Sequence, residues 1–187
     1  LSPCAIDPLV RDVVRRRFDQ ALFAADVIGA KQIVFHSGFI PFVYYKEYFI
    51  DESVKFWRVF LKNAPNDMSF LLENVMEPEP EITAAVAEGV NDSRFGLCLD
   101  IGHANSRVSE TPLPHWIDRF APKLMHVHLH NNFGGDDLHN PLGSGNIPMR
   151  ETIEYIIRKS PDATFTIENM TAAPSVVWLV DNGFLSK

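Results

Sequence analysis

Five short apolar runs in this 187-residue chain stop on a residue able to bind a metal or carry a proton. "IVFH" ends at His36, "FLLE" at Glu73, and "LCLD" at Asp100, with His103 three residues on. "HVHLH" offers His126, His128 and His130, and "FTIE" ends at Glu168. Asn74 and Asn169 follow the two glutamates, so the chain repeats one pair of residues at two distant points. If the runs are parallel strands of one barrel, their carboxyl ends open on one mouth, and scattered residues converge there. Carboxylates and imidazoles packed that closely repel or desolvate one another unless a cation joins them. Two Glu, one Asp and one neutral His suit a divalent metal: Zn²⁺, Mn²⁺, Mg²⁺ or Co²⁺. Oxygen and nitrogen donors without thiolate favour Mn²⁺ or Zn²⁺ in a reactive site over a structural zinc. A lone Glu or His at a strand end is more often a surface or capping group. Five strands in succession, each ending in such a residue, carry the metal reading.

His126, His128 and His130 are two residues apart, so a regular strand puts them on one face at different depths. One of them is expected to ligate the metal, with His130 just above it and facing substrate. His115, on a short helical stretch, reads as a solvated or packing histidine. No phosphate loop, GxGxxG, GxSxG or paired CxxC competes with this reading.

Helical and strand-like segments alternate around these residues. "PLVRDVVRRRFDQALFAADVIGA" has apolar residues at three- and four-residue spacing and closes on Gly29, which predicts a long amphipathic helix. "KQIVFH" reads as a strand, and "DESVKFWRVFLKNA" as a helix capped by Asp51. "MSFLLEN" reads as a strand, "EPEITAAVAEG" as a helix ending at Gly89, and "FGLCLDIGH" as a strand. "LPHWIDRFAPK" is a short helix and "LMHVHLHNN" a strand. "MRETIEYIIRKS", "ATFTIEN" and "APSVVWLVDNG" close the order as helix, strand, helix. Near-continuous apolar strands are those of a parallel sheet buried on both faces. The alternation gives an α/β fold, doubly wound or closed as a barrel. "NNFGGDDLHNPLGSGNIP" is the longest irregular stretch and is where function is expected.

A net charge of −7 weakens any nucleic-acid reading. No apolar run approaches the ~20 residues that span a bilayer, and no secretory signal pattern opens the chain. Cys4 and Cys98 form no framework and read as free thiols of a reducing cytosol, Cys98 as a small buried hydrophobe. The expected location is the cytoplasm.

"VFHSG", "LLENV", "LDIGH", "HVHLHNN", "DLH" followed by "LGSGNIP", and "TIEN" together resemble the xylose-isomerase-like TIM barrels. That superfamily holds sugar (phosphate) isomerases and epimerases and also endonuclease IV. The resemblance covers nearly all of residues 1–187, read as a single barrel domain's C-terminal portion. It implies a TIM-barrel-type (β/α) parallel sheet with about five of the usual eight strands, a partial barrel of the α/β class. A TIM barrel takes ~250 residues, and the first three strands are expected to lie outside this chain. Five strands cannot close a barrel, so a sheet edge is expected to be covered by the N-terminal helix, a loop or another chain.

By the same resemblance Glu73, Asp100, His128 and Glu168 hold the shared metal, with Glu73 and Glu168 as the acid/base pair. His36, His103, Asp137 and His139 match positions that bind further metals or substrate in larger clusters. Asn74 and Asn169 are expected to orient their neighbours from behind. "GSG" stands where many members have Gly-Glu-Gly, so Ser144 replaces a loop carboxylate. The implied reaction is isomerisation or epimerisation of a sugar, sugar phosphate or keto-polyol through a metal-stabilised enediolate. Two other readings stand beside it: an endonuclease IV-like phosphodiesterase using two or three Zn²⁺, and an inactive fragment that keeps the ligands. No membrane partner is expected; a homo-oligomer or strand-edge pairing with another chain is.

Overall fold

The computed structural model describes residues 2–186. Helix α1 (Pro8–Ile28) is followed by β1 (Gln32–His36), α2 (Lys46–Asn63), β2 (Ser69–Glu73), α3 (Glu81–Val90) and β3 (Phe95–Asp100). A four-residue α4 (Ile101–Ala104) and α5 (Leu113–Phe120) lead to β4 (Leu124–Leu129). Then come α6 (Met149–Lys159), β5 (Thr164–Ile167) and α7 (Ala173–Asp181). The five strands pair in sequence order, all parallel, as an open TIM-barrel wall with helices in the crossovers.

Local chemistry explains both ends of α1. Asp7 accepts the Leu9 N–H at 2.8 Å, Pro8 opens α1, and Gly29 closes it at φ 71°. The aromatic core binds helices to sheet. Phe18 of α1 stacks on Phe35 of β1 at 4.3 Å, and fully buried Trp57 of α2 packs against Phe95 of β3 at 4.8 Å.

Three expected boundaries shift. Helix α2 starts at Lys46, so Asp51 lies inside it; extended Tyr45 takes the cap position and Glu47 favours the first turn electrostatically. Helix α3 runs to Val90 and stops on left-handed Asn91 (φ 52°). Gly89 is interior instead, because a Cβ there would sit 2.6 Å from Val54 of α2. The strand expected through His103 ends at Asp100, whose carboxylate accepts the His103 N–H at 2.7 Å and starts α4.

Strands β1 and β5 are the outer strands. Helix α1 covers the face of β1 through Phe18 and Phe35 rather than its edge. Among the described residues no segment pairs with the free edge of β5, where Phe165 is 37 % exposed. Of the three covers expected for a sheet edge, neither the N-terminal helix nor a loop pairs with β5 among the described residues, which leaves pairing with another chain. No helix among the described residues is long and apolar enough to cross a membrane.

Candidate metal centre

Parallel pairing brings the strand ends level. His36 is the register partner of Glu73, and Asp100 that of His128. The second pairing depends on an irregularity. Leu97 pairs with Leu124 but Cys98 pairs with His126, so β4 carries one extra residue. An even register would have set Asp100 beside Val127; the bulge sets it beside His128.

Glu73, Asp100, His128 and Glu168 each offer a ligand atom, and these atoms all lie within 4.8 Å of one another. His128 Nδ1 is 3.1 Å from Glu73 Oε1, 2.9 Å from Glu168 Oε2 and 3.7 Å from Asp100 Oδ2. Its hydrogen bond goes to Glu73, and Glu168 Oε2 is left buried without a hydrogen-bond partner. Burial opposes charge on the His128 ring. The close approach of Cys98, Glu168 and Glu73 outweighs it and raises the pKa far above the ordinary value. Burial likewise opposes ionisation of Asp100, but the His130 bond and the His103 and His130 charges hold it down at about 2. Three carboxylates around one imidazole, with an orphaned carboxylate oxygen, fit a divalent cation by donor chemistry and spacing. Cys98 is buried as expected, yet its thiol also meets the His128 ring, and burial pushes it up to about 12.

A second group lies beside the first: His103, His130, Asp137 and His139, again with ligand atoms within 4.8 Å. His103 Nδ1 donates to the Asn74 carbonyl at 2.8 Å, and His139 Nδ1 donates to the Glu168 carbonyl at 2.8 Å. Both Nε2 atoms then face Asp137 Oδ2, at 3.1 and 3.0 Å. Fixing Nδ1–H on a carbonyl leaves Nε2 as the ligating nitrogen, the arrangement found behind metal-bound histidines. The fully buried His130 reaches Asp100 Oδ1 through Nε2 at 2.9 Å and stacks on His139 at 4.0 Å, while its Nδ1 has no partner. Gly102 is needed below it, since a Cβ there would lie 1.9 Å from the ring.

The other sequence candidates fall around these groups. Asn74 bridges β2 and β3, donating to the Asp100 carbonyl at 3.0 Å and accepting its N–H at 2.9 Å. Asn169 donates to the carbonyls of His139 at 3.2 Å and Asn140 at 2.7 Å, and so ties down the loop that carries Asp137. His36 joins neither group; its side chain is 68 % exposed, with Nε2 3.6 Å from Glu73 Oε2. His126 lies deeper, between the Thr164 and Thr166 hydroxyls at 2.6 and 2.9 Å. Burial, then the charge of His128, pushes its pKa down to about 4. His115 meets Glu81 at the surface at 2.8 Å. Sequence reasoning passed over Glu77, a buried carboxyl bonded to Ser37; its only trace is one more acidic residue in "ENVMEPEPE".

A family model described as xylose isomerase-like TIM barrel matches residues 1–176. An uncharacterised protein of Methanocaldococcus jannaschii is 25 % identical over 190 residues, covering 94 % of this chain and 63 % of that protein. Fructoselysine 3-epimerase of Escherichia coli O157:H7 is 31 % identical over 64 residues, 34 % of this chain and 23 % of the enzyme. The chain thus spans less than two thirds of these relatives. Among solved structures, a D-tagatose 3-epimerase-like protein superposes with a TM-score of 0.84 at 24 % identity, over 98 % of this chain and 73 % of that one. A Thermus thermophilus protein soaked with zinc chloride gives 0.80 at 29 % identity, over 100 % and 75 %.

Proposed function

This chain belongs to the xylose isomerase-like TIM barrel family, and from that premise we propose that it acts in a divalent-metal-dependent isomerase or epimerase of a sugar, sugar phosphate or keto-polyol. The observation that carries the reading is the meeting of Glu73, Asp100, His128 and Glu168, with ligand atoms within 4.8 Å, at the carboxyl ends of the strands. A divalent cation held by these four residues, with Zn²⁺ or Mn²⁺ fitting best and Mg²⁺ or Co²⁺ also suited, would act as a Lewis acid on neighbouring substrate oxygens.

The chain's own residues supply the rest. Glu73 is 2 % exposed at the end of β2, whereas the Glu168 side chain, just beyond β5, is 41 % exposed and open to the mouth. One of these glutamates removes the proton next to the carbonyl and the other returns it to the opposite side of the flat enediolate. Asn74 holds the backbone at the end of β3, and Asn169 holds the loop that carries Asp137, through the bonds described above. His36 and His103 reach the substrate's hydroxyls or oxyanion. The similarities to a D-tagatose 3-epimerase-like protein and to fructoselysine 3-epimerase support this class. The test is exchange of solvent deuterium into the carbon next to the carbonyl of a ketose panel, with Mn²⁺, Co²⁺ or Zn²⁺ added. No exchange with any sugar, by protein shown to bind metal, overturns the reading.

A second reading is a multi-zinc phosphodiesterase, favoured by the His103, His130, Asp137 and His139 group. Two or three Zn per chain, with cleavage of a bis-aryl phosphodiester, would put it first. The net charge of −7 counts against a polyanionic substrate.

A further inference from the structure

One buried carboxyl belongs to neither ligand group. Glu77 is 3 % exposed and sits where the loops leaving β1 and β2 meet. One of its oxygens accepts the Val75 N–H at 2.7 Å, and the other meets the Ser37 hydroxyl. Ser37 follows His36 directly and is itself 1 % exposed. Its backbone N–H donates to the Glu73 carbonyl at 3.0 Å, and its Oγ accepts the Phe39 N–H at 3.1 Å. The turn after His36 is thereby tied at its start to β2 and through its side chain to the loop beyond β2. Burial raises the pKa of Glu77, with the Ser37 bond and local amides working against that rise. An apolar residue would fill this space without the cost of desolvating a carboxyl. What the carboxyl adds is direction, because it fixes the Ser37 hydroxyl and with it the orientation of the turn. His36 needs such help: it ends an outer strand, its side chain is 68 % exposed, and its Nε2 stands 3.6 Å from Glu73 Oε2.

We propose that Glu77 is a positioning residue that, through the Ser37 hydroxyl, holds His36 beside Glu73 and so tunes how tightly the metal centre binds its cation. The proposal rests on the metal reading of Glu73, Asp100, His128 and Glu168. Outer partners of metal ligands are typically worth about 10- to 100-fold in metal affinity.

The test is Co²⁺ titration of the whole chain, read by visible absorption, with melting temperature measured in parallel. Ser37→Ala and Glu77→Leu are expected to weaken Co²⁺ about 10- to 100-fold and to alter the absorption bands. Glu77→Gln, which can still bond Ser37, is expected to stay within a few-fold of the unmodified chain. His36→Ala should lose as much as Ser37→Ala, and the double variant no more than either. Should Glu77→Leu fail to fold, Ser37→Ala decides alone. Unchanged Co²⁺ affinity and spectrum in Ser37→Ala, beside an unmodified chain that binds, overturns the proposal and leaves the metal reading standing. Failure of the unmodified chain to bind Co²⁺ removes both.

Discussion

Raising the pH from 6 to 8 should tighten metal binding by about two orders of magnitude, and the reason lies at one ring nitrogen. In the metal-free chain His128 Nδ1 faces carboxylate oxygens of Glu168, Glu73 and Asp100 at 2.9, 3.1 and 3.7 Å. These neighbours and the Cys98 contact overcome the effect of burial, so the ring stays protonated throughout the neutral range. A cation entering the group has to expel that proton, because a ligating nitrogen needs its lone pair. Asp100, held down at about 2, contributes no proton to the exchange. One proton expelled means about tenfold in apparent affinity per pH unit, or ~1.4 kcal/mol, and so ~2.7 kcal/mol between pH 6 and 8. Isothermal titration calorimetry with Mn²⁺ or Co²⁺ at pH 6, 7 and 8, in two buffers of different ionisation heat, measures both the slope and the proton count. The expected result is a slope near one and about one proton released per ion, both lost in His128→Gln. Metal binding that is flat with pH and releases no proton would refute the picture of His128 as a cation held by three carboxylates.

Glu168→Gln, assayed at saturating metal, should slow deuterium exchange at the substrate carbon by about 10²- to 10⁴-fold. An unchanged rate would remove its proton-transfer role. Replacing Asp137 and His139 together by Asn should lower the metal count per chain by one if the second group is loaded; elemental analysis showing no change would strike them as ligands. Burial favours neutral His103, but the bond to Asp137 and the charge of Asp100 hold its pKa up at about 9, against 6.5 unfolded. That stabilisation is fully present below pH 6.5 and lost as pH rises through 9, ~3 kcal/mol at most. Thermal melts of the metal-free chain should therefore fall across this window, and His103→Asn should flatten the fall.

Gly29 shows what a sequence can disclose: a glycine after an apolar three- and four-residue rhythm ends a helix, and it does so here at φ 71°. The parallel β/α order and the ligand-type residue at each strand end were equally open to reading, because periodicity and strand length are local properties. Asp51 and Gly89 were misread for the opposite reason. Tyr45 takes the start of α2, and the approach of Val54 demands the glycine inside α3. The choice of His128 over His126 came from family motif; its geometry comes from the one-residue bulge that sets His128 against Asp100 and leaves His126 between two threonines. Glu77 showed in the sequence only as one more acidic residue, since its partner Ser37 lies 40 residues away. Sequence by itself determined the elements and the kinds of donor they end on, for both follow from short-range sterics and hydrophobic pattern. Register, burial and which oxygen faces which nitrogen were decided only when the strands paired, because those depend on contacts between segments whose separation along the chain carries no geometric information.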